Sequence, residues 1–171
     1  MDKQEICIMK KQPLEIHTAR LCLRQITAED APILVELRSE PESYRFFRAP
    51  HRLTLVEHIC WYEEKYLADK NRFDWLALRE ETPIGSFSLK RLQEDVACAE
   101  ISYLLAPEMR GNGYAAEAVN ALLQWGVERW KIRQGIAEIH CDNIASRRFA
   151  ERMHFSFWKE DPPFICYRKN L

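Results

Sequence analysis

The residues best suited to chemistry lie in Pro107-Glu108-Met109-Arg110-Gly111-Asn112-Gly113-Tyr114-Ala115, between a stretch of strand character and one of helical period. Glycine admits a left-handed backbone and close approach, so two glycines one residue apart favour a tight turn. Amides at a helix start have no partner within the helix, and with the helix dipole they attract anions. Arg110 can add a charge-assisted contact. The pattern suits a diphosphate, although Gly-x-Gly also serves as an ordinary turn, and the residues alone leave both readings open. No Gly-Lys-Ser/Thr follows, so this is not a Walker loop. The third glycine of a dinucleotide fingerprint is also missing.

Glu100 is a second candidate. It sits amid Val96, Ala97, Cys98, Ala99 and Ile101, and a carboxylate desolvated by such neighbours has a raised pKa. The other reading is a solvent-facing residue at a strand end. His140 and Cys141 are adjacent, but neighbouring strand residues point to opposite faces, which argues against a thiol–imidazole pair. The six cysteines, at 7, 22, 60, 98, 141 and 166, form no CxxC pair and no zinc-site spacing. Most of them are expected to be small buried apolar residues, and no metal site is expected.

Several elements must position these groups. Leu14 to Gln25 reads as a first strand. Thr27 with Asp30 and Thr54 with Glu57 are capping boxes opening two helices. The first helix should stop before Pro41. The second spans 55–69, with Val56, Ile59, Cys60, Tyr66 and Leu67 at helical spacing. Strands follow at Phe73–Leu78, Ile84–Leu92 and Ala97–Leu105, with a turn at Glu81-Thr82-Pro83, and their short links predict an antiparallel meander. Gly113 to Trp130 returns to helical period. Ile136–Cys141 is a strand, and Asp142 or Asn143 caps a helix ending near Met153. Phe155–Trp158 and Phe164–Arg168 close the order. The result is a mixed α/β sheet of about seven strands with four helices on its faces.

The chain has 171 residues, which suits a single domain over 1–171. Basic and acidic residues number 25 and 26, a net charge of −1, so nothing suggests broad attraction to nucleic acid or anionic membrane. No run of about 18 apolar residues predicts a membrane span. Met1 to Gln12 lacks the long apolar centre of a signal peptide, so a cytosolic protein without a disulfide framework is expected.

Arg110-x-x-Gly113-x-Ala115 resembles the Gln/Arg-x-x-Gly-x-Gly/Ala signature of the GNAT N-acetyltransferases. Glu100 to Pro107 is similar to that family's central splayed strand, and Asp142 to Phe155 to its second motif. The Asn143-Ile144-Ala145-Ser146 step and the opening Thr18 to Arg24 are closest to the Rim-like branch, which acetylates ribosomal-protein N-termini and other amines. The resemblance covers nearly the whole chain and implies the GNAT fold with transfer of an acetyl group from acetyl-CoA to a primary amine by direct attack. It further implies that backbone amides of Gly111, Asn112, Gly113, Tyr114 and Ala115 hold the pyrophosphate. Tyr103, Leu104 and Leu105 would pair with the pantetheine arm through their backbone, and Asn143 would contact it from the other side.

Two positions depart from the family pattern. Many members carry a tyrosine at the position of Ala150, where it protonates the departing thiolate; Ser146 is the nearest substitute, or else only a helix-cap partner. His154 stands where glycine usually precedes Phe155, either as an exposed turn residue or as a substrate contact. Direct attack needs a neutral amine, which makes Glu100 the candidate general base. Glu57-His58-Ile59-Cys60-Trp61 is similar to a segment of members that acetylate amino sugars carried on nucleotides. Trp61 with Arg48 and His51 are therefore candidate substrate contacts, against the plainer reading of a solvated basic loop and a core tryptophan. Protein N-termini and small amines are the other acceptor classes. The rival functions are a non-catalytic acyl-CoA binder or sensor of the same fold, and a nucleotide-binding protein of another fold. Trp158 and Phe164, if exposed, could pair two copies into a homodimer.

Overall fold

A computed structural model describes residues 14–171, so the expectations for Met1 to Gln12 lie outside the described residues. The strands are β1 (Glu15–His17), β2 (Cys22–Gln25), β3 (Arg72–Arg79), β4 (Thr82–Arg91), β5 (Cys98–Leu105), β6 (Gln134–His140), β7 (Ser156–Asp161) and β8 (Phe164–Asn170). The helices are α1 (Ala31–Leu37), α2 (Pro41–Tyr44), α3 (Leu55–Trp61), α4 (Tyr114–Trp130) and α5 (Ile144–Arg152). A single π-helical turn, Tyr62–Tyr66, extends α3.

The expected counts of seven strands and four helices become eight and five for local reasons. Leu14–Gln25 is broken at Thr18, whose hydroxyl donates to the Leu21 carbonyl and accepts from the Leu21 amide, folding β1 back on β2. Pro41 begins a helix of its own, since proline fits a first helical position where no amide partner is needed. Pro83 lies inside β4 rather than in the turn; Glu80 and Glu81, with φ of 48° and 68°, make the turn instead. Both capping boxes form as the sequence predicts: Asp30 accepts from the Thr27 amide at 2.7 Å and Glu57 from the Thr54 amide at 2.8 Å.

One sheet runs β1-β2-β3-β4-β5-β6-β8-β7. Every pairing is antiparallel except β5 with β6. Strand alternation divides the core. Phe73, Trp75, Phe87 and Leu89 pack on one face with Ala118, Leu122 and Trp125 of α4, whereas Leu76 joins Leu34, Tyr62 and Tyr66 on the other. Burial of this aromatic set at roughly 25 cal/mol per Å² is the main force fixing α4 on the sheet.

Three surface expectations change. On α3 the buried side chain is His58, while Val56 is 70 % exposed and Ile59 and Cys60 also face solvent. Three of the five residues at helical spacing therefore lie outside, while Tyr66 is buried with Tyr62 in the π turn and Leu67 is half-buried. Of the described cysteines only Cys98 and Cys166 are buried. Phe164 is buried under Arg48, so of the pair considered for self-association only Trp158 is exposed, beside Phe157. Among the described residues no helix is long and apolar enough to cross a membrane.

The topological feature that matters for function is the β5–β6 junction. These parallel strands pair only over Cys98–Glu100 and Gln134–Ile136. Beyond that, β5 stays with β4 as far as Leu105 and β6 stays with β8 as far as His140. The sheet opens into a wedge, leaving one edge of β5 from Ile101 onward without a neighbouring strand.

Candidate active site at the sheet wedge

The glycine turn stands at the wide end of the wedge. Gly111 and Gly113 have φ of 79° and 81°, values that side-chain-bearing residues adopt only with strain. A β-carbon on Gly111 would meet no atom within 4 Å, so the turn faces open space. Among the described residues, none supplies an acceptor to the amides of Gly111 to Ala116. The Asn112 side-chain amide closes the turn by donating to the Met109 and Arg110 carbonyls. Arg20 braces it from behind: it pairs with Glu117 at 2.7 Å, donates to the Asn112 carbonyl and lies over the ring of buried Tyr114. Backbone donors thus converge on one exposed spot, which fits a diphosphate.

Arg110 lines a cavity beside Gly111 and is also held by contacts within the protein. Its guanidinium donates to the Leu105 carbonyl at 3.2 Å and the Ser43 hydroxyl at 2.8 Å and lies 3.6 Å from Glu40. It ties α2 to the end of β5, and it occupies a carbonyl that the sequence assigned to the pantetheine arm.

A cavity of about 430 Å³ runs from Arg110 and Gly111 along Tyr103, Leu104 and Leu105 to Asn143, Ser146 and Phe149 of α5. Asn143 spends its side-chain oxygen capping α5, accepting from the Ser146 amide at 3.1 Å, so the Ser146 backbone is a cap partner while its side chain lines the cavity. Ala150 is buried in the core and lines none of the cavity. Besides Ser146, the substitute that the sequence offered for the missing tyrosine, a second hydroxyl stands at this cavity: the Tyr103 phenol oxygen is buried with no geometrically complete hydrogen bond, its ring 4.8 Å from that of Phe149. Burial pushes this phenol up to about 12, an effect that the Ser146 hydroxyl and Arg152 oppose.

Two further hollows meet this one at Tyr103. One holds Glu100, Glu138, Arg48, Lys90 and Ser146. Burial raises the Glu100 pKa and the charge of Glu138 adds to that, while Lys90 and Arg72 work against them. Glu100 is therefore a half-buried carboxyl in the wedge, desolvated there by residues of other segments, since Ala99 and Ile101 face the opposite side of β5. Arg48 is held there by Glu138 at 2.7 Å and Asp161 at 2.9 Å. The other hollow, on the α1–α3 face, contains Trp61, His58, Arg38, Arg72 and Asp74. His51 lies outside all three, exposed and paired with Glu57 at 3.1 Å. His154 is exposed with φ 63°, taking the left-handed turn without glycine, and does not line the cavities.

The sequence missed the Tyr103 side chain, Arg38, Arg72 and Asp74. Arg72-x-Asp74 had a usable signal, since residues two apart on a strand share a face, and they pair at 2.7 Å. Arg38 had none; only the packing of α1 against α3 and the sheet brings it to the cavity.

Comparison with known proteins agrees with this geometry. Residues 20–156 match the family described as Acetyltransferase (GNAT) domain. The uncharacterized N-acetyltransferase YoaA of Bacillus subtilis is 28% identical over 144 residues, covering 82% of this chain and 81% of that one. A domain from Methanocaldococcus jannaschii superimposes with a TM-score of 0.78 at 27% identity, over 89% of this chain and 99% of that one. RimL, a ribosomal L7/L12 alpha-N-protein acetyltransferase solved with coenzyme A, shares the fold with a TM-score of 0.79 at 19% identity, over 92% and 98% of the two chains. The chain belongs to the GNAT acetyltransferase family and takes acetyl-CoA as its co-substrate.

Proposed function

We propose that this GNAT family member is a cytosolic single-domain N-acetyltransferase whose acceptor is a primary amine: a nucleotide-linked amino sugar, a protein N-terminus or a small amine. The observation that carries the reading is the unpaired edge of β5 running directly to the acceptor-free amides of Gly111 to Ala115. Those amides would hold the pyrophosphate, with the arm continuing the sheet beside Tyr103 and Leu104. The bound thioester supplies an electrophilic acetyl carbonyl in the wedge.

Glu100 and Tyr103 are three apart on β5, an odd spacing, so their side chains leave the strand on opposite faces. The amine arrives on the Glu100 side. As its nitrogen bonds to the acetyl carbon, the proton it must lose passes to the Glu100 carboxylate. The carbon–sulfur bond breaks, and the thiolate takes a proton from the Tyr103 phenol, with the Ser146 hydroxyl beside it. One proton leaves the amine and one reaches sulfur, so the reaction needs no covalent enzyme intermediate. A raised pKa makes the Glu100 carboxylate the stronger base, and burial keeps the Tyr103 phenol protonated until a thiolate forms beside it.

Calorimetric titration with acetyl-CoA should give a one-to-one isotherm. Mass spectrometry of reactions with a panel of primary amines should then find an N-acetylated product. A flat trace would remove the reading.

A further inference from the structure

The hollow on the α1–α3 face has a charge imbalance that the acetyl transfer itself does not explain. Arg72 is neutralised there by Asp74 through two bonds of 2.7 and 2.9 Å. Arg38 has no such partner. Among the described residues its guanidinium donates no hydrogen bond and has no carboxylate within 4 Å; it rests on the Phe47 ring at 4.9 Å. Burial, and next the charge of Arg72, lower its pKa against the opposing charge of Asp74, which is already bonded to Arg72, so two guanidinium cations, Arg38 and Arg72, share one carboxylate in the hollow. A cation held half-buried without a counter-ion costs stability unless something anionic joins it.

A second observation comes from α3. His58 is only 5 % exposed, and its Nε2 is buried with no hydrogen-bond partner. Burial and the nearby Arg38 charge lower its pKa, which keeps the ring neutral and able to donate one N–H. Arg38 and His58 line one cavity of about 330 Å³, together with Trp61 and the hydroxyl-bearing Ser86 and Ser88. That cavity shares Ser102 and Tyr103 with the hollow containing Glu100.

We propose that this cavity is an anion subsite for the acceptor: Arg38 and His58 hold a phosphate or carboxylate carried by the same molecule whose primary amine reaches Glu100. The proposal rests on the acetyl-transfer reading for the amine, but the anion site itself is independent of it. A guanidinium and an imidazole N–H offer three or more donors and no acceptor, which selects an anion over a neutral polar group.

The test uses ethanolamine, O-phosphoethanolamine and β-alanine as acceptors, and inorganic phosphate and acetate as binding probes, with coenzyme A saturating so that the glycine turn does not compete. The wild-type protein should acetylate one of the two anionic amines at least about tenfold more efficiently than ethanolamine, the scale of a charge-assisted bond. The preferred anion should bind in calorimetry, and whether phosphate or acetate does so identifies its source. Arg38→Gln should lose that preference and weaken probe binding about tenfold, with Arg38→Lys recovering part of it. Equal rates for all three amines in the wild-type protein, with no probe binding, would overturn the proposal even if Arg38→Gln failed to fold. If acetyl-CoA binds normally and the anion preference is absent, this inference alone fails. If acetyl-CoA does not bind, the acetyl-transfer reading fails, while a loss of phosphate or acetate binding in Arg38→Gln, which leaves the glycine turn untouched, still reports on the subsite.

Discussion

The two ends of the wedge are built from different material. At the glycine turn the working groups are backbone amides, fixed by two positive-φ glycines and the start of α4. On the side where we place the acceptor they are side chains from the end of α1, α3, β3 and β5, each ionised or neutral according to its surroundings. A backbone site needs a local conformation, which a short sequence can impose. A side-chain site needs distant segments to meet, and its chemistry depends on how deeply they bury one another.

Substitutions that separate the two ends can break this comparison. The largest effect is expected on the acceptor side. Glu100→Gln should lower kcat by roughly 10²- to 10⁴-fold, the range for loss of a general base, without changing acetyl-CoA affinity. The rising acid limb of the pH–rate profile should vanish with it. Near-normal turnover would remove Glu100 from the mechanism.

Next comes the backbone end. Gly113→Ala forces a side chain into φ 81° with Arg20 already 3.4 Å from the new carbon. It should weaken acetyl-CoA binding about tenfold or more through strain and displaced amides, leaving the anion preference of the acceptor cavity intact. Unchanged affinity in a calorimetric titration would show that the turn does not hold phosphate.

Tyr103→Phe keeps the ring against Phe149 and removes only the unpartnered hydroxyl. It should reduce kcat about tenfold to a hundredfold and raise stability slightly, since a buried orphan hydroxyl is lost. Ser146→Ala should cost less, and the double variant should fall short of the product of the two if the hydroxyls share one proton path. A larger effect for Ser146→Ala than for Tyr103→Phe would reverse the assignment.

The smallest effect concerns pH and stability. The folded pKa of Glu100 is raised, so folding favours its protonated form. Its favourable contribution is present below the usual glutamate range and is lost as pH rises through the raised value. Glu100→Gln should therefore raise Tm at pH 8 relative to the wild-type protein and leave it little changed at pH 4. The opposite ordering in thermal melts would mean that the carboxyl is better solvated than its surroundings imply.

How far the sequence reached can be seen in single residues. Thr27, Asp30, Thr54 and Glu57 announced their helix starts because capping is a contact between residues three apart. Gly111 and Gly113 announced their turn because only glycine adopts that backbone freely, whereas Glu100 is half-buried by residues of other segments in the wedge and not by Ala99 and Ile101, which face the opposite side of β5. Arg110 was read as a ligand for phosphate, and its further part in joining α2 to β5 was not legible, because nothing local reveals that Ser43 and Glu40 arrive beside it. Val56 and Ile59 kept a helical stripe and still face solvent, since the stripe does not say which face the sheet covers.

By itself the sequence determined most of the order of elements, the glycine turn and the family, because each is written in residues a few positions apart. Tertiary structure alone decided where β5 and β6 part, that Tyr103 rather than residue 150 brings a hydroxyl to the cavity, and that Arg38 stands there without a counter-ion. Those facts depend on contacts between segments tens of residues apart, and on the desolvation such contacts impose, which no local pattern encodes.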